Sequence, residues 1–218
     1  MQLHGPVLLE TWLSPVRSTT YLIHRGLFQR ARLLYFRRLL DRCGLDEKSR
    51  LLDYGCGAGD LLEVCRQHGI EAVGTDVASP SARLTRARGL RVTIADYRSL
   101  PHPRGFFDAI VLQSVIEHTR EPLELLRSLV PHLKRRGLLV VSAPTPESGF
   151  WDDPTHVRPY TPRSFVTLAE LCGLEVVEIR YVFSVLLGLH LRAAWIYKLL
   201  NLLPFPVGTN LVGLFRVP

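Results

Sequence analysis

A glycine-rich turn flanked by acids is the part of the sequence whose residue types and spacing best define a chemical site. Residues 51–60 read LLDYGCGAGD, so an apolar segment runs directly into three glycines at alternate positions. Such glycines let the backbone turn tightly and let a ligand approach without interference from side chains. Asp53 and Asp60 flank the turn, and we therefore expect a ligand that carries positive charge. An aspartate at position 60 disfavours a dinucleotide pyrophosphate, because two negative charges would meet at the helix start.

Further polar residues stand at the ends of the next predicted strands, where ligands bind in open α/β sheets. Asp76 ends the segment EAVGTD, Asp96 follows VTIA, and Gln113 ends FDAIVLQ. An acid about 20 residues beyond such a turn accepts hydrogen bonds from ribose hydroxyls, which is the role we predict for Asp76. Asp96 is placed to accept from an adenine amino group. These side chains together indicate a ligand that contains a nucleoside.

In these segments the sequence resembles the class I methyltransferases that use S-adenosylmethionine (SAM), and within them the group that includes the ubiquinone-biosynthesis O-methyltransferases. The resemblance rests on LLDYGCGAGD, VGTD, ADY and FDAIVLQSVIEH, in this order between residues 50 and 143. It implies methyltransferase activity with SAM as the cofactor, whose sulfonium and ammonium charges suit Asp53 and Asp60. The resemblance carries cofactor contacts onto Gly55, Cys56, Gly57, Gly59, Asp76, Val77, Asp96, Tyr97 and Gln113.

Two histidines are the candidates for removing a proton from a hydroxyl group that accepts the methyl group. His118 follows the fourth predicted strand, and His156 stands in the segment 144–162, which we call the acceptor loop. Histidine titrates near neutral pH and therefore suits base catalysis. A structural interpretation stands beside the catalytic one in each case. His118 would then order its own loop, and His156 would bond to the backbone.

The acceptor loop is the predicted binding site for the acceptor, because it is rich in aromatic and polar residues and follows a strand end. Its stretch DPTHVRPYTP is similar to one in bacterial methyltransferases associated with lipids, glycans and surface polysaccharides. We therefore expect methylation of an oxygen on a small-molecule, lipid-linked or glycan-type acceptor. The alternative interpretation is a loop held rigid by its prolines. The candidate acceptor-binding residues are Trp151, Thr155, Arg158 and Tyr160.

Strands and helices that alternate from residue 50 onward must position these residues. The pattern predicts a Rossmann-like, doubly wound α/β fold with helices on both faces of a mostly parallel sheet. The family resemblance implies seven strands with an antiparallel last strand. We predict strands at 50–54, 71–76, 91–95, 107–113, 138–143, 174–182 and 210–217. We predict helices at 25–43, 60–68, 79–88, 121–134 and 161–172, with residues 1–49 as a helical cap and 50–218 as the methyltransferase domain.

An apolar insertion interrupts this rhythm at 183–208. Its leucines recur at helical spacing beside Arg192, Trp195 and Lys198. The charges make a transmembrane span a poor interpretation. Three interpretations stay open: a helix on the membrane surface, a lid over an apolar acceptor, and packing in the core.

Composition and charge limit the remaining classes of function. Hydrophobic residues make up 47% and charged residues 22%, which indicates a globular chain. The net charge of +7 allows an acidic partner such as nucleic acid, a phosphate-bearing metabolite or an anionic membrane. No RNA-binding module or N-P-P-Y-type motif is present, so a nucleic-acid methyltransferase is the disfavoured alternative, together with a non-catalytic SAM-binding scaffold.

Cysteine and histidine usage sets the expected location and metal content. The four cysteines show no C-x-x-C pair, and no signal-peptide pattern occurs at the N-terminus. We therefore expect reduced thiols and a cytoplasmic protein, with peripheral contact through 183–208 at the inner face of the membrane. The histidines are spread over different predicted elements, and we expect no metal site.

Overall fold

Seven strands form one sheet in the computed structural model of the protein, which describes residues 33–146, 150–182 and 210–218. The strands are β1 (Arg50–Tyr54), β2 (Glu71–Asp76), β3 (Val92–Ile94), β4 (Phe107–Gln113), β5 (Leu133–Pro144), β6 (Glu175–Val182) and β7 (Asn210–Arg216). Their order across the sheet is β3-β2-β1-β4-β5-β7-β6. The last strand, β7, runs antiparallel to both β5 and β6, whereas β1 to β5 pair in parallel. The predicted mostly parallel, Rossmann-like sheet with an antiparallel last strand is confirmed.

Helices cover both faces of this sheet, as predicted. Within the described residues they are α1 (33–43), α2 (Asp60–Gln67), α3 (Ser79–Ala87), α4 (Pro122–Leu129) and α5 (Pro162–Leu171). Side chains of α1 and α2 pack with Ala109 and Val111 of β4, whereas α4 and α5 pack with Ile110 and Leu112 on the opposite face. This division follows from the alternation of side chains along a strand.

The described helix α1 belongs to the same core as the sheet. Tyr35, Phe36 and Leu39 are buried in it. Arg42 donates to Glu178 of β6, with Nη2 and Oε1 2.6 Å apart. No break in packing therefore marks a boundary after residue 49, and the division into a cap and a methyltransferase domain stays a prediction.

One predicted helix is wrong at its C-terminal end. The helix predicted at 121–134 ends at Leu129 and is followed by the 3₁₀ turn Val130–His132. Pro131 accounts for the difference, because proline has no backbone N–H to continue the helical hydrogen bonds. β5 consequently begins at Leu133 rather than at 138, and Lys134 binds the carboxylate of Asp108 on the neighbouring strand at 2.7 and 2.8 Å.

Two predictions concern residues outside the described part of the chain. These are the first half of the helix predicted at 25–43 and the apolar insertion at 183–208 with its three interpretations. Among the residues that are described, no helix has the length and apolar character needed to cross a membrane.

Candidate active site

The glycine turn joins β1 to α2 at the carboxyl edge of the sheet. Gly55, Gly57 and Gly59 have φ angles of 75°, 51° and 78°, which residues other than glycine rarely adopt. A Cβ atom at position 55 would lie 2.4 Å from Cγ2 of Val115. Backbone conformation and packing therefore both require glycine here, in addition to the approach of a ligand predicted from the sequence.

Asp76 holds this turn from the end of the neighbouring strand. Its Oδ2 accepts a hydrogen bond from the backbone N–H of Gly57 at 2.9 Å, and its Oδ1 accepts from that of Ala78 at 2.7 Å. The carbonyl of Thr75 accepts from the N–H of Gly55 at 2.7 Å. A carboxylate offers about four lone-pair sites, so Asp76 keeps acceptor capacity for ribose hydroxyls while it orients the turn.

Asp53 is the acid in the turn whose environment best fits a cationic ligand. It is 3% exposed and has no hydrogen-bond or ion-pair partner among the described residues. Burial, aided by the charges of Asp76 and Asp60, raises the pKa of Asp53 to about 8. A buried acid of this kind ionises readily only when positive charge comes close. Asp60 differs, since Arg88 lies 3.0 Å from its Oδ1 and neutralises part of its charge.

The remaining predicted cofactor residues after β1 to β3 differ in accessibility. Cys56 is buried behind the turn, whereas Val77 is 65% exposed. Asp96 begins the turn after β3 and accepts from the backbone N–H of Arg98 at 2.6 Å. The guanidinium of Arg98 lies 4.5 Å from the ring centre of Tyr97. Cys56, Val77, Asp96 and Tyr97 thus lie at or after the ends of β1, β2 and β3, and their contacts with the cofactor stay predictions from the family resemblance.

Gln113 ends β4 as predicted, but protein side chains already occupy its amide. Its Oε1 accepts from the hydroxyl of Tyr35 at 3.1 Å, and its Nε2 donates to the hydroxyl of Ser142 at 3.0 Å. Gln113 therefore ties α1 and β5 to β4. Its contact with the cofactor stays a prediction from the family resemblance.

A chain of hydrogen bonds from the acceptor loop orients His118. The hydroxyl of Thr155 donates to Oδ1 of Asp153 at 2.6 Å, so its oxygen accepts from Nδ1 of His118 at 3.0 Å. The carbonyl of Thr155, which can only accept, lies 3.3 Å from the same nitrogen. Nδ1 therefore carries the proton of the neutral ring, and Nε2 keeps a free lone pair. Burial is the main cause that lowers the pKa of His118, which favours this neutral form.

His156 faces His118, with ring centres 4.8 Å apart. Its Nδ1 donates to the backbone carbonyl of Phe150 at 2.6 Å, and its ring lies over that of Phe150 at 4.4 Å. This is the backbone bond that the structural interpretation of His156 requires. It still leaves Nε2 unprotonated in the neutral ring, so two imidazoles offer proton acceptors at one place.

Glu117 belongs to this group, although the sequence did not single it out. Its side chain is 1% exposed, and its Oε2 has no hydrogen-bond partner among the described residues. Burial is the main cause that raises the pKa of Glu117, to about 7, and the charge of Asp153 adds to it. Glu117, His118 and His156 each offer one atom that can bind a metal ion, and these three atoms lie within 4.8 Å of one another. The spread of the histidines over different predicted elements indicates no metal site, whereas the folded acceptor loop brings these three side chains together.

The candidate acceptor-binding residues occupy unequal positions. Trp151 is 68% exposed, with its ring set edge-on to that of Phe150 at 5.0 Å. Arg158 is exposed and lines an open cleft of about 660 Å³ between α4 and α5. Tyr160 also lines this cleft but is only 2% exposed, and its hydroxyl donates to the carbonyl of Ile116 at 3.2 Å. Tyr160 therefore anchors the loop in the core more than it forms an exposed wall.

The sheet order, the glycine turn after β1, the acid that ends β2 and the polar loop beyond β4 together define a methyltransferase-type domain of class I. A model of the methyltransferase domain family matches residues 27–179. The chain belongs to this family. SAM is the cofactor that the family implies, and the unpartnered acid Asp53 beneath the glycine turn fits its positive charge.

Individual similar proteins agree with this assignment. The chain is 31% identical over 118 residues to a ubiquinone biosynthesis O-methyltransferase of Xanthomonas oryzae, a match that covers 51% of this chain and 48% of the relative. It is 34% identical over 140 residues to the demethylmenaquinone methyltransferase of Thermus thermophilus, covering 59% and 62%. The chain thus spans less than two thirds of the length of these relatives.

Solved structures show the same fold at low sequence identity. A SAM-dependent methyltransferase from Archaeoglobus fulgidus superposes with a TM-score of 0.70 at 22% identity, covering 90% of this chain and 99% of that one. A SAM-dependent methyltransferase from Mesorhizobium loti gives 0.62 at 17% identity, covering 77% and 90%. These likenesses support the fold alone.

Proposed function

We propose that this domain transfers the methyl group of SAM to an oxygen atom of a small-molecule, lipid-linked or glycan-type acceptor that binds against the acceptor loop. The observation that carries the proposal is the chain of hydrogen bonds from Asp153 through Thr155 to His118. It leaves Nε2 of His118 free to accept a proton. The two relatives, named for ubiquinone biosynthesis and for demethylmenaquinone, support an acceptor of the quinone or lipid-linked kind.

In this proposal His118 accepts the proton of the acceptor hydroxyl through Nε2 while the oxygen forms its bond to carbon. When bound, SAM supplies that carbon as a methyl group on a positively charged sulfur, which keeps the electron pair of the broken bond. Thr155 and Asp153 stabilise the resulting imidazolium, because its Nδ1–H donates towards a hydroxyl that is itself bonded to a carboxylate. The imidazolium then releases its proton to solvent.

The residues proposed to hold SAM are those that the sequence predicted. Asp53 faces the positive charges of the ligand, and Asp76 accepts from the ribose hydroxyls while it keeps Gly57 in place. Asp96 accepts from the adenine. The remaining contacts come from backbone of the glycine turn and from Val77 and the other family positions named above. Pre-oriented groups of this kind align the reacting atoms, which is the main demand of an in-line displacement.

The experiment that tests the proposal uses SAM with a deuterated methyl group. The purified protein is incubated with this SAM and a cell extract, and mass spectrometry searches for a product that carries the label on oxygen. We expect such a product with the wild type and a strong loss with His118→Gln. His68→Gln is the matched control, since His68 is an exposed histidine at the C-terminal end of α2. Label on nitrogen or carbon, or full activity of His118→Gln, would contradict the proposal.

A cytoplasmic location with peripheral contact at the inner face of the membrane is part of the same proposal. Its support is the sequence of 183–208, which combines leucines at helical spacing with Arg192, Trp195 and Lys198. A change of Leu189 to Glu tests the contact. We expect it to abolish flotation on anionic vesicles while the melting temperature stays unchanged.

A further inference from the structure

We propose that the cleft between the N-terminal ends of α4 and α5 binds a phosphate group that is carried by the methyl acceptor. This inference rests on the proposed function, because it names a chemical class for the acceptor. The cleft measures about 660 Å³, within the range of sites for small ligands. Three arginines from three different segments contribute to its lining. They are Arg120 after β4, Arg158 in the acceptor loop and Arg163 in α5.

The guanidinium groups of these three arginines are available to a ligand. None of them has a hydrogen-bond or ion-pair partner among the described residues. Nearby arginines differ, since Arg98 pairs with Glu124 at 3.1 Å and Arg127 donates to the carbonyl of Leu171 at 3.1 Å. Glu121 is the one acid among the described residues that line the cleft, so its lining carries three positive charges against one negative.

Arginine and a helix end together favour phosphate over other anions. The planar guanidinium donates two parallel hydrogen bonds to phosphate oxygens. The helix α4 begins at Pro122, and the side chain of Glu121 does not cap it. Pro122 has no N–H, so the backbone N–H groups of Leu123 and Glu124 in this first turn remain for a ligand, with the positive end of the helix dipole behind them. In α5, by contrast, Thr161 and Ser164 form a capping box.

The cleft lies next to His118 and His156, because two of its arginines each follow one of these histidines by two residues. The tripeptides 118–120 (HTR) and 156–158 (HVR) each place an arginine two residues after a histidine. The N–H of Val157 donates to the carbonyl of Glu117 at 2.7 Å and fastens the two segments side by side. Two residues span at most about 7 Å of chain. A phosphate in the cleft therefore leaves the rest of its molecule within reach of His118.

Leucines continue the cleft away from the arginines. Leu123 of α4 and Leu168 and Leu171 of α5 contribute to its lining, and Leu171 is 50% exposed. Apolar surface next to a basic mouth suits a chain attached to the phosphate, since burial of that chain is favourable. The ligand class is therefore a phosphate ester with an apolar chain.

Calorimetry of the full chain with inorganic phosphate and with octyl phosphate tests this inference. We expect octyl phosphate to bind more tightly than inorganic phosphate. Arg120→Gln, Arg158→Gln and Arg163→Gln should each weaken octyl phosphate binding about tenfold, because each removes a charge-assisted hydrogen bond. Arg135→Gln, at an exposed arginine near the start of β5, is the matched control and should bind as the wild type.

Measurements of SAM affinity and of vesicle binding separate the outcomes. SAM affinity should stay at the wild-type level in all four variants, so a failed cleft leaves the methyl-transfer proposal standing. Vesicles of phosphatidylglycerol distinguish the source of the phosphate. Octyl phosphate binding that the arginine changes weaken, with vesicle binding at the wild-type level, supports a single-molecule ligand, and loss of both in the arginine variants supports a lipid headgroup. No binding of either phosphate probe, equal binding in the arginine variants, or vesicle binding alone would overturn the inference.

Discussion

The carboxylate of Asp76 accepts a hydrogen bond from the backbone N–H of Gly57 at 2.9 Å, so the end of β2 holds the turn that follows β1. This bond orients the turn before any ligand arrives. It also gives Asp76 two tasks, since a change there disturbs both the proposed ribose contact and the turn. The cofactor site is therefore one connected unit of two strand ends.

Asp76→Asn should weaken SAM binding by about 1–3 kcal/mol, the cost of leaving polar groups unpaired. The amide would place an N–H group against the N–H groups that the carboxylate now accepts from. Titration calorimetry measures the affinity, and the melting temperature reports the effect on the fold. Glu170→Gln, an exposed change on α5, is the control. Unchanged affinity in Asp76→Asn would remove this residue from the site.

SAM binding should release protons at pH 7 because of Asp53. The free protein holds this carboxyl protonated, with a pKa of about 8, and a cationic ligand favours the ionised form. Affinity should therefore rise as the pH approaches 8 and level off above it. Calorimetry in buffers of different ionisation enthalpy measures the release, and Asp53→Asn should lack the Asp53 contribution. An equal release from wild type and Asp53→Asn would contradict the assignment.

The stability of the free protein should also depend on pH, because the pKa of Asp53 differs between the folded and unfolded states. The pKa of Asp53 is raised from 3.8 to about 8 on folding, so its contribution is complete at low pH and is lost as the pH rises between these values. Asp53→Asn removes this dependence, and its melting temperature should exceed that of the wild type at pH 8. Thermal unfolding over pH 5 to about 8 measures the difference. A wild type as stable as the variant at pH 8 would count against a buried, unpartnered Asp53.

Methyl transfer should depend on His118 and on its hydrogen-bond chain. His118→Gln should lower kcat by about 10²–10⁴, the range for loss of a general base. Since burial lowers the pKa of His118 below 6.5, the rate should rise with pH on the acid side and reach a plateau by neutral pH. Asp153→Asn should move this limb to lower pH, because the charge of Asp153 raises the pKa of His118.

Rates of labelled product formation across pH measure these effects, with SAM affinity as the control for the fold. An acid limb of the pH–rate profile that does not move in Asp153→Asn would exclude a role for the hydrogen-bond chain from Asp153 through Thr155 to His118. Addition of EDTA separates two roles of the group around Glu117. Loss of activity on chelation would assign Glu117, His118 and His156 to a metal ion instead of a proton acceptor.

Gly55→Ala should destabilise the protein more than Gly105→Ala. Both positions have positive φ, so both substitutions carry the backbone cost of about 1–2 kcal/mol. Only at position 55 does the new Cβ meet another atom, Cγ2 of Val115 at 2.4 Å, whereas nothing lies within 4 Å at position 105. The excess should be about 1–3 kcal/mol. Urea unfolding measures it, and Val115→Ala in the same chain should recover it; equal losses at both positions would contradict the packing.

Strand positions could be predicted where the sequence is locally unambiguous. β1, β2 and β4 begin and end at the predicted residues, because each is a short apolar segment closed by a glycine turn, an aspartate or a polar residue. The helix predicted at 121–134 continued too far because the apolar pattern of α4 extends past Pro131. The missing N–H of Pro131 ends the helix despite that pattern, and the residues from Leu133 onward belong to β5.

The candidate site divides in the same way. Asp53 in β1, Asp76 at the end of β2 and Asp96 after β3 could be placed at one edge from the sequence, because the carboxyl ends of parallel strands share that edge. The contact between His118 and His156 could not, since it depends on hydrogen bonds that fold the acceptor loop back onto the end of β4. The hydrogen bond from Tyr35 to Gln113 could not be predicted either, because it requires that α1 packs against β4 on the face of the sheet.

The binding of SAM to the purified chain is the sharpest test of the proposed cofactor site, because it requires no knowledge of the acceptor. Titration calorimetry compares SAM, its demethylated product and NADH on the wild type and on Asp53→Asn. We expect SAM and its product to bind, NADH not to bind, and Asp53→Asn to weaken the binding of SAM. Binding of NADH with no binding of SAM would contradict the assignment of SAM as the cofactor.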